Sequence, residues 1–315
     1  MATSGICEGR VVIVTGGGRG LGRSHCLEFA RQGAAVVVND FGGGLHGEQL
    51  SDSPAHAVVA EIETLGGTAV ANHDDVSAED GAARLVNTAL DRFGRLDTLV
   101  NNAGILRDRM LVNMTVDDWD AVIRVHLRST FLTTQLAANH WRSLAKIGTP
   151  AQGRILNTSS PAGLYGNIGQ ANYVAAKAGI AALTISAAQE LGNYGVTVNA
   201  IAPVALTRMT EDLPALADDV KMREAAPDAF LKRDPANVSP LVAWLGSDDS
   251  ADVTGRVFQV EGGQIAVVDG FIIAAEEDAG RRREPAEVGV TVRGLLGKVR
   301  PPAALDGHLP TELQR

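Results

Sequence analysis

The sequence predicts an α/β fold: one doubly wound parallel sheet of about seven strands, with helices on both faces. Three observations predict it. Short apolar runs rich in Val, Ala and Ile alternate with longer stretches of helical period. The runs are nearly continuous rather than alternating, as strands covered on both faces should be. A glycine-rich turn, Thr15 to Gly22, joins the first apolar run to the first helical stretch.

The elements follow in order. Arg10–Thr15 (RVVIVT) is predicted as a buried strand, Gly20–Gln32 as a helix and Ala35–Asn39 as the second strand. A glycine-rich loop should run from Phe41 to Ser53. A helix (Pro54–Leu65), a strand (Thr68–His73), a helix (Ala78–Phe93) and a fourth strand (Leu96–Asn101) come next. A long helix is expected over Val116–Ala145, then a strand at Arg154–Thr158, a helix at Ala171–Leu191 and a strand at Val196–Ile201. Pro203–Asp234, with its Pro, Met and mixed charge, is expected to be a mobile lid on the ligand side of the sheet. Pro235–Leu245 should be helical and Val257–Val260 the last strand. Beyond Phe271 the pattern decays into Gly, Pro, Arg and Glu. One domain over residues 8–273, with an extension over 274–315, is therefore expected, and no internal repeat is visible.

Composition sets bounds on function. The chain has 315 residues, 45% hydrophobic and 21% charged, an ordinary globular balance. Its formal net charge of −9 and pI of about 5.3 argue against a nucleic-acid partner, which calls for a basic stripe. Arg281, Arg282 and Arg283 form a basic cluster, but acidic residues flank it, as in a solvated tail. Cys7 and Cys26 make neither a disulfide framework nor a zinc motif, so no metal is expected and a reducing compartment is the default. The start, MATSGICEGR, lacks a signal-peptide pattern. The final ELQR is not a Ser-Lys-Leu address. No run of about 18 apolar residues is present to cross a membrane. A cytoplasmic protein is expected.

The turn Thr15-Gly16-Gly17-Gly18-Arg19-Gly20-Leu21-Gly22 has T-G-x-x-x-G-x-G spacing. Such glycines permit a tight turn and let backbone N–H groups approach a pyrophosphate at a helix N-terminus. A flexible connector would also be glycine-rich; the place between first strand and first helix favours a nucleotide site. Asp40 closes the second strand, where a carboxylate can accept hydrogen bonds from both hydroxyls of an adenosine ribose and would repel a 2′-phosphate. Arg19 pulls the other way, since it could pair with that phosphate, but a solvent-facing Arg19 is the simpler reading. The expected cofactor is NAD. Asp75 and Val76, after the third strand, suit the adenine, although Asp75 or Ser77 could equally start the next helix. Asn101-Asn102-Ala103-Gly104 ends the fourth strand with small residues that let the chain pass close to a cofactor, or that simply turn.

Tyr173 and Lys177 stand at i and i+4 of a predicted helix and so share a face. A free tyrosine, with a pKa near ~10, is too weakly acidic to serve as a base at neutral pH. A nearby ammonium would lower that value and let the phenol exchange a proton with an alcohol or carbonyl oxygen. By itself Y-x-x-x-K occurs on many amphipathic helices. Ser160, at the end of the fifth strand, adds a hydroxyl on the carboxyl edge of the sheet, with Ser159 as its competitor. Ser160 lacks a G-x-S-x-G elbow, so hydrolase chemistry is not expected.

TGxxxGxG, NNAG and Ser-x12-Tyr-x3-Lys, in that order, resemble the short-chain dehydrogenase/reductase family over about residues 8–270. The resemblance implies one Rossmann-type domain and an NAD(P)-dependent oxidoreductase acting on CH–OH donors. It makes Tyr173 the general acid/base, Lys177 also a holder of the nicotinamide ribose, and Ser160 the group that orients the substrate. The cofactor would lie on Gly16, Arg19, Gly20, Leu21, Gly22, Asp40, Asp75, Val76, Asn102, Ala103, Gly104, Pro203 and Thr207. Two departures stand out. His126, in Arg124-Val125-His126-Leu127, occupies the place of a catalytic asparagine that supports a water chain for protons. A histidine can do this as donor and acceptor, or it can be a core residue bonded to backbone. Pro203-Val204 stands where Pro-Gly is common, while Thr207 still matches a contact to the carboxamide.

Finer strings, VVVNDFGGG, NNAGILRDRML, RVHLRSTF, GLYGNIGQANYVAAK and IAPVALTRMT, resemble the dehydrogenase domain of peroxisomal type 2 multifunctional enzymes and their stand-alone bacterial relatives. His126 belongs to that subfamily's pattern. This implies oxidation of a (3R)-hydroxyacyl-CoA, possible steroid-derived acyl groups among them, or of a 17β-hydroxysteroid. A 3-oxoacyl-carrier-protein or carbonyl reductase is the nearest rival. A non-catalytic NAD-binding regulator is a distant one. Pairing through the helices at Val116–Ala145 and Ala171–Leu191 implies a homodimer or homotetramer.

Overall fold

The protein is described here by a computed structural model covering residues 5–42, 54–149, 151–207, 221–222 and 229–308. Its strands are β1 Val11–Thr15, β2 Ala35–Asn39, β3 Thr68–Asn72, β4 Thr98–Asn101, β5 Arg154–Thr158, β6 Thr197–Pro203, β7 Val257–Glu261 and β8 Gln264–Val268. They form one sheet in the order β3-β2-β1-β4-β5-β6-β7-β8. All neighbours are parallel except β7 and β8, which pair antiparallel. The order reverses direction between β1 and β4, where a doubly wound sheet opens its ligand crevice.

The helices are α1 Gly20–Arg31, α2 Pro54–Thr64, α3 Glu79–Phe93, α4 Val116–Ile123, α5 Ser129–Lys146, α6 Pro161–Tyr165, α7 Ala171–Leu191, α8 Ser239–Leu245 and α9 Pro285–Leu296. Two cores explain why the strands are apolar throughout. On one face Val12, Val14, Val36, Val38 and Leu156 pack against Phe29 of α1, Ile62 of α2 and Leu245 of α8. On the other Val11, Ile13, Val37, Leu99 and Ile155 meet Leu85 of α3, Trp141 of α5 and Ala188 of α7. Successive side chains of β1 thus enter opposite cores, as the strand period of two requires.

The predicted fold class holds, with four additions. The sheet has eight strands, because the chain reverses at Gly262, in the left-handed region at φ 58°, and β8 lies back along β7. The predicted helix over Val116–Ala145 is one helical run interrupted by a π turn at Arg124–Arg128. Carbonyls loosened there are met by hydroxyls of the next turn: Ser129 donates to Val125 and His126, and Thr130 donates to His126 at 2.8 Å. A short helix, α6, follows Ser160. The extension carries α9, capped by reciprocal bonds between Glu284 and Glu287. Most of the expected lid, and residues 43–53 of the expected glycine-rich loop, lie outside the described residues.

Candidate active site

The glycine turn is built against the end of β4. The Asn102 side chain donates to the carbonyls of Thr15 and Gly16, both at 3.1 Å, and the Thr15 hydroxyl accepts from the N–H groups of Asn102 and Ala103. This closeness demands glycine. A Cβ on Gly22 would lie 2.0 Å from the Gly16 oxygen, and one on Gly16, at φ 61°, would lie 2.8 Å from Ala103 Cα. Among the described residues the N-cap Arg19 makes no side-chain cap, which leaves the first N–H groups of α1, around Gly20, Leu21 and Gly22, to an anion.

Asp40 sits beside this turn. Its carboxylate accepts from the N–H of Gly18 at 3.0 Å and of Gly42 at 2.9 Å. A Cβ on Gly18 would be 2.7 Å from Asp40 Oδ2, so glycine lets the two meet. Arg19 lines a small cleft of about 330 Å³ together with Gly18, Arg23, Pro54 and Glu61. Asp75 accepts from the N–H of Ser77 at 2.9 Å and from its hydroxyl at 2.6 Å, so the carboxylate organises the turn into α3. Val76 beside it is buried.

A larger cleft, about 1210 Å³, opens at the carboxyl ends of β4, β5 and β6. Leu21, Asn102, Gly104, His126, Ser160, Tyr173, Lys177, Pro203 and Thr207 all line it. The separated motifs are therefore brought together. Tyr173 and Lys177 project from the first turns of α7, anchored by Asn172, which is fully buried and donates to the carbonyls of Arg107 and Asp118. Ser160 caps α6, its hydroxyl accepting from Ala162 N–H at 3.2 Å. That hydroxyl also favours the ionised Tyr173 phenol, an effect that burial outweighs. Ser159 lines the same cleft but donates its hydroxyl to the carbonyl of Lys177 at 2.9 Å.

The electrostatics differ from the simplest expectation for Tyr173 beside a cation. Lys177 donates to the Thr158 carbonyl at 2.6 Å, and its nitrogen lies 5.5 Å from the centre of the Tyr173 ring. Burial pushes Tyr173 up to about 12, with the Asp108 charge adding to it and Ser160 opposing. Burial pushes Lys177 down to about 7. Burial disfavours both charged forms, and here that outweighs the lowering expected from the ammonium.

His126 lies inside the π turn with its ring edge-on to Tyr173, centroids 5.2 Å apart. Its Nε2 is 3.1 Å from Ile105 N and 2.8 Å from Ile105 O. Burial, then the nearby Lys177, press its pKa down to about 3, so the ring is neutral. Whichever tautomer it adopts, Nδ1 is buried without a partner among the described residues. Gly104 makes room for it: a Cβ there would meet His126 Cε1 at 2.4 Å.

Several cleft residues escaped the motif reading. Tyr165, Gln259 and residues 305–308 of the extension all face this cavity. The tyrosine is visible in the string GLYGNIGQANY, but only the fold shows that the extension returns to it.

A glycine turn packed on a strand end, an uncapped helix start and a Ser-Tyr-Lys cluster in one crevice define a nucleotide-dependent dehydrogenase of the Rossmann type. A family model, the short chain dehydrogenase, matches residues 10–217. The chain belongs to the short-chain dehydrogenase/reductase family and is an NAD(P)-dependent oxidoreductase acting on CH–OH donors. It is similar to the hydroxyacyl-CoA dehydrogenase ChsB1 of Mycobacterium tuberculosis, 46% identical over 91% of this chain and 88% of that protein. It is 48% identical to the peroxisomal multifunctional enzyme type 2 of Mus musculus over 82% of this chain, but spans only 32% of that enzyme. A crystal structure of a short chain dehydrogenase from Mycobacterium avium superposes with a TM-score of 0.85 at 54% identity, covering 95% of this chain and 98% of that one.

Proposed function

We propose that this enzyme oxidises the 3-hydroxyl of a (3R)-hydroxyacyl-CoA with NAD, steroid-derived acyl groups included. The observation that carries the reading is the convergence of Ser160, Tyr173 and Lys177 in one roomy cleft beside the glycine turn. The relatives, a hydroxyacyl-CoA dehydrogenase and a peroxisomal multifunctional enzyme, suggest the substrate class.

Gly16, Gly20, Leu21 and Gly22 would hold the pyrophosphate on α1, and Asn102, Ala103, Gly104, Pro203 and Thr207 would line the nicotinamide end. Asp40 supports NAD over NADP. Its carboxylate is pinned by two backbone N–H groups and would face a 2′-phosphate as a like charge in a partly shielded place. Asp75 and Val76 would flank the adenine. Held there, NAD would supply a hydride acceptor for the carbinol carbon, and its cationic ring would favour the Tyr173 phenolate.

Ser160 donates a hydrogen bond to the substrate oxygen and fixes its position. Tyr173 takes the hydroxyl proton. Lys177, pushed down to about 7, can carry a proton at neutral pH and holds the nicotinamide ribose. His126 offers its unpartnered Nδ1 to a water that links the lysine to solvent, which suits the place an asparagine takes in the wider family. The free, buried Cys7 and Cys26 fit a reducing, cytoplasmic setting. A homodimer or homotetramer is the expected assembly.

A substrate panel tests the reading. If neither (3R)-hydroxyacyl-CoA thioesters nor 17β-hydroxysteroids reduce NAD, the substrate class is wrong; preference for NADPH with a carrier-protein thioester would favour a reductase. Tyr173→Phe should lose nearly all turnover while still binding NAD by fluorescence titration. Unchanged turnover removes Tyr173 from the mechanism.

A further inference from the structure

The C-terminal extension returns to the active-site cleft and is clasped there. Residues 304–308 form a turn closed by Gly307 N–H on the Ala304 carbonyl and Ala304 N–H on the His308 carbonyl, both 2.8 Å. The His308 N–H also donates to the Asp306 carboxylate at 2.9 Å. The Gln259 amide of β7 joins the turn to the core. It donates to the Asp306 carbonyl at 3.0 Å and accepts from the Tyr165 hydroxyl at 3.1 Å. Tyr165 ends the short helix that Ser160 caps, so one five-residue helix has the proposed substrate-orienting serine at its N-cap and the clasp at its other end.

Gly307 is suited to this on two counts. Its φ of 83° is left-handed, and a Cβ there would lie 2.7 Å from the Tyr165 oxygen. Only a glycine lets the turn lie flat on the ring. Leu305 and His308 line the same cavity as Ser160 and Tyr173.

We infer that the turn at 304–308 is a wall of the substrate site that reads the acyl portion of the substrate, with Leu305 as its apolar contact and Gly307 seating it on Tyr165. The inference rests on the acyl-thioester reading above. Charge decides which part of a thioester faces it. The phosphates of coenzyme A would meet the carboxylates of Asp306 and Asp269 in the cleft wall as like charges. Lys232 and Arg233, the cleft cations near β7, are both held by Glu261, at 2.8 and 2.9 Å. The acyl chain, with no charge to repel, fits against Leu305 and Tyr165.

The test uses the full chain carrying Leu305→Asp or Gly307→Val. The first puts a carboxylate at a half-exposed apolar contact; the second lifts the turn off Tyr165. The ratio of kcat/KM for long-chain to short-chain (3R)-hydroxyacyl-CoA should fall about tenfold or more in each, the range one apolar contact commands. NAD affinity, read by fluorescence, should hold. A ratio equal to the wild type in both variants overturns the inference, as does an equal fall for both chain lengths. If the wild-type enzyme oxidises no hydroxyacyl-CoA, the substrate-class reading fails by itself. The wall is then judged by the same ratio for bulky against small secondary alcohols.

Discussion

His126 shows how one side chain can tie the fold to the chemistry. It is buried, neutral, edge-on to Tyr173, and leaves Nδ1 without a partner among the described residues. A buried polar atom of this kind normally has a partner, and a water in the cleft is the simplest one. His126→Leu should therefore lower kcat by about tenfold or more, since a proton-relay group contributes at least that much. His126→Asn should restore most of it. Equal kcat in all three proteins would make His126 a packing residue. The same residue marks acid stability. His25 and His126 are both pressed by burial from 6.5 to about 3. Between those values the unfolded chain binds protons that the folded chain refuses, so stability rises with pH across the window and falls on acidification. Each such histidine adds a slope of about 1.4 kcal/mol per pH unit. Urea unfolding across this window should show the slope decrease by about one proton in His126→Asn; an unchanged slope would mean the imidazole is not held neutral.

At the scale of elements, the glycine turn and the π turn do opposite things with the backbone. The first brings two strand ends together through missing side chains; the second swings His126 over Gly104 by widening a helix. Gly104→Ala should displace the imidazole, because the new Cβ would sit 2.4 Å from it. Crowding of this kind costs about 1–3 kcal/mol of stability. Activity should fall with NAD binding retained. Gly22→Ala should instead abolish NAD binding, since its Cβ would strike the Gly16 carbonyl at 2.0 Å; isothermal titration separates the two outcomes. Legibility divides along the same line. β1 and the first turn of α1 were readable because a continuous apolar run and glycine spacing are local signals. The π turn was not, since Arg124–Arg128 carries the same helical periodicity as its flanks, although the hydroxyls of Ser129 and Thr130 that tolerate it stand in the sequence. β8 was missed because Gln264–Val268 is an edge strand, with Ile265 and Val267 exposed and no strand partner beyond it among the described residues. The wall at 304–308 depends on contacts with residues far away in sequence, Tyr165 and Gln259, which no local pattern encodes.

At the scale of the whole molecule, the question is what covers the faces of α5 and α7 that the sheet does not. The inner faces of both helices are buried against the second core, Trp141 and Ala188 among them. Their outer faces carry a different pattern. On α7, Ala178, Ala182 and Ile185 are exposed at helical spacing, small and apolar positions that let another helix approach closely, with the polar Gln189 a turn further on. On α5, Phe131 is exposed with Gln135 and Asn139 on the same face. Small and apolar positions left uncovered among the described residues fit the helix–helix pairing expected of a homo-oligomer, with a second copy packing on them. The enzyme should therefore sediment as a dimer or tetramer. A double variant, Phe131→Asp with Ile185→Asp, should shift it to monomer by placing carboxylates where two copies would have to bury them. Exposed positions tolerate such changes, so far-ultraviolet circular dichroism should stay that of the wild type. A wild-type monomer, or a variant that sediments unchanged, would show that these positions face only water.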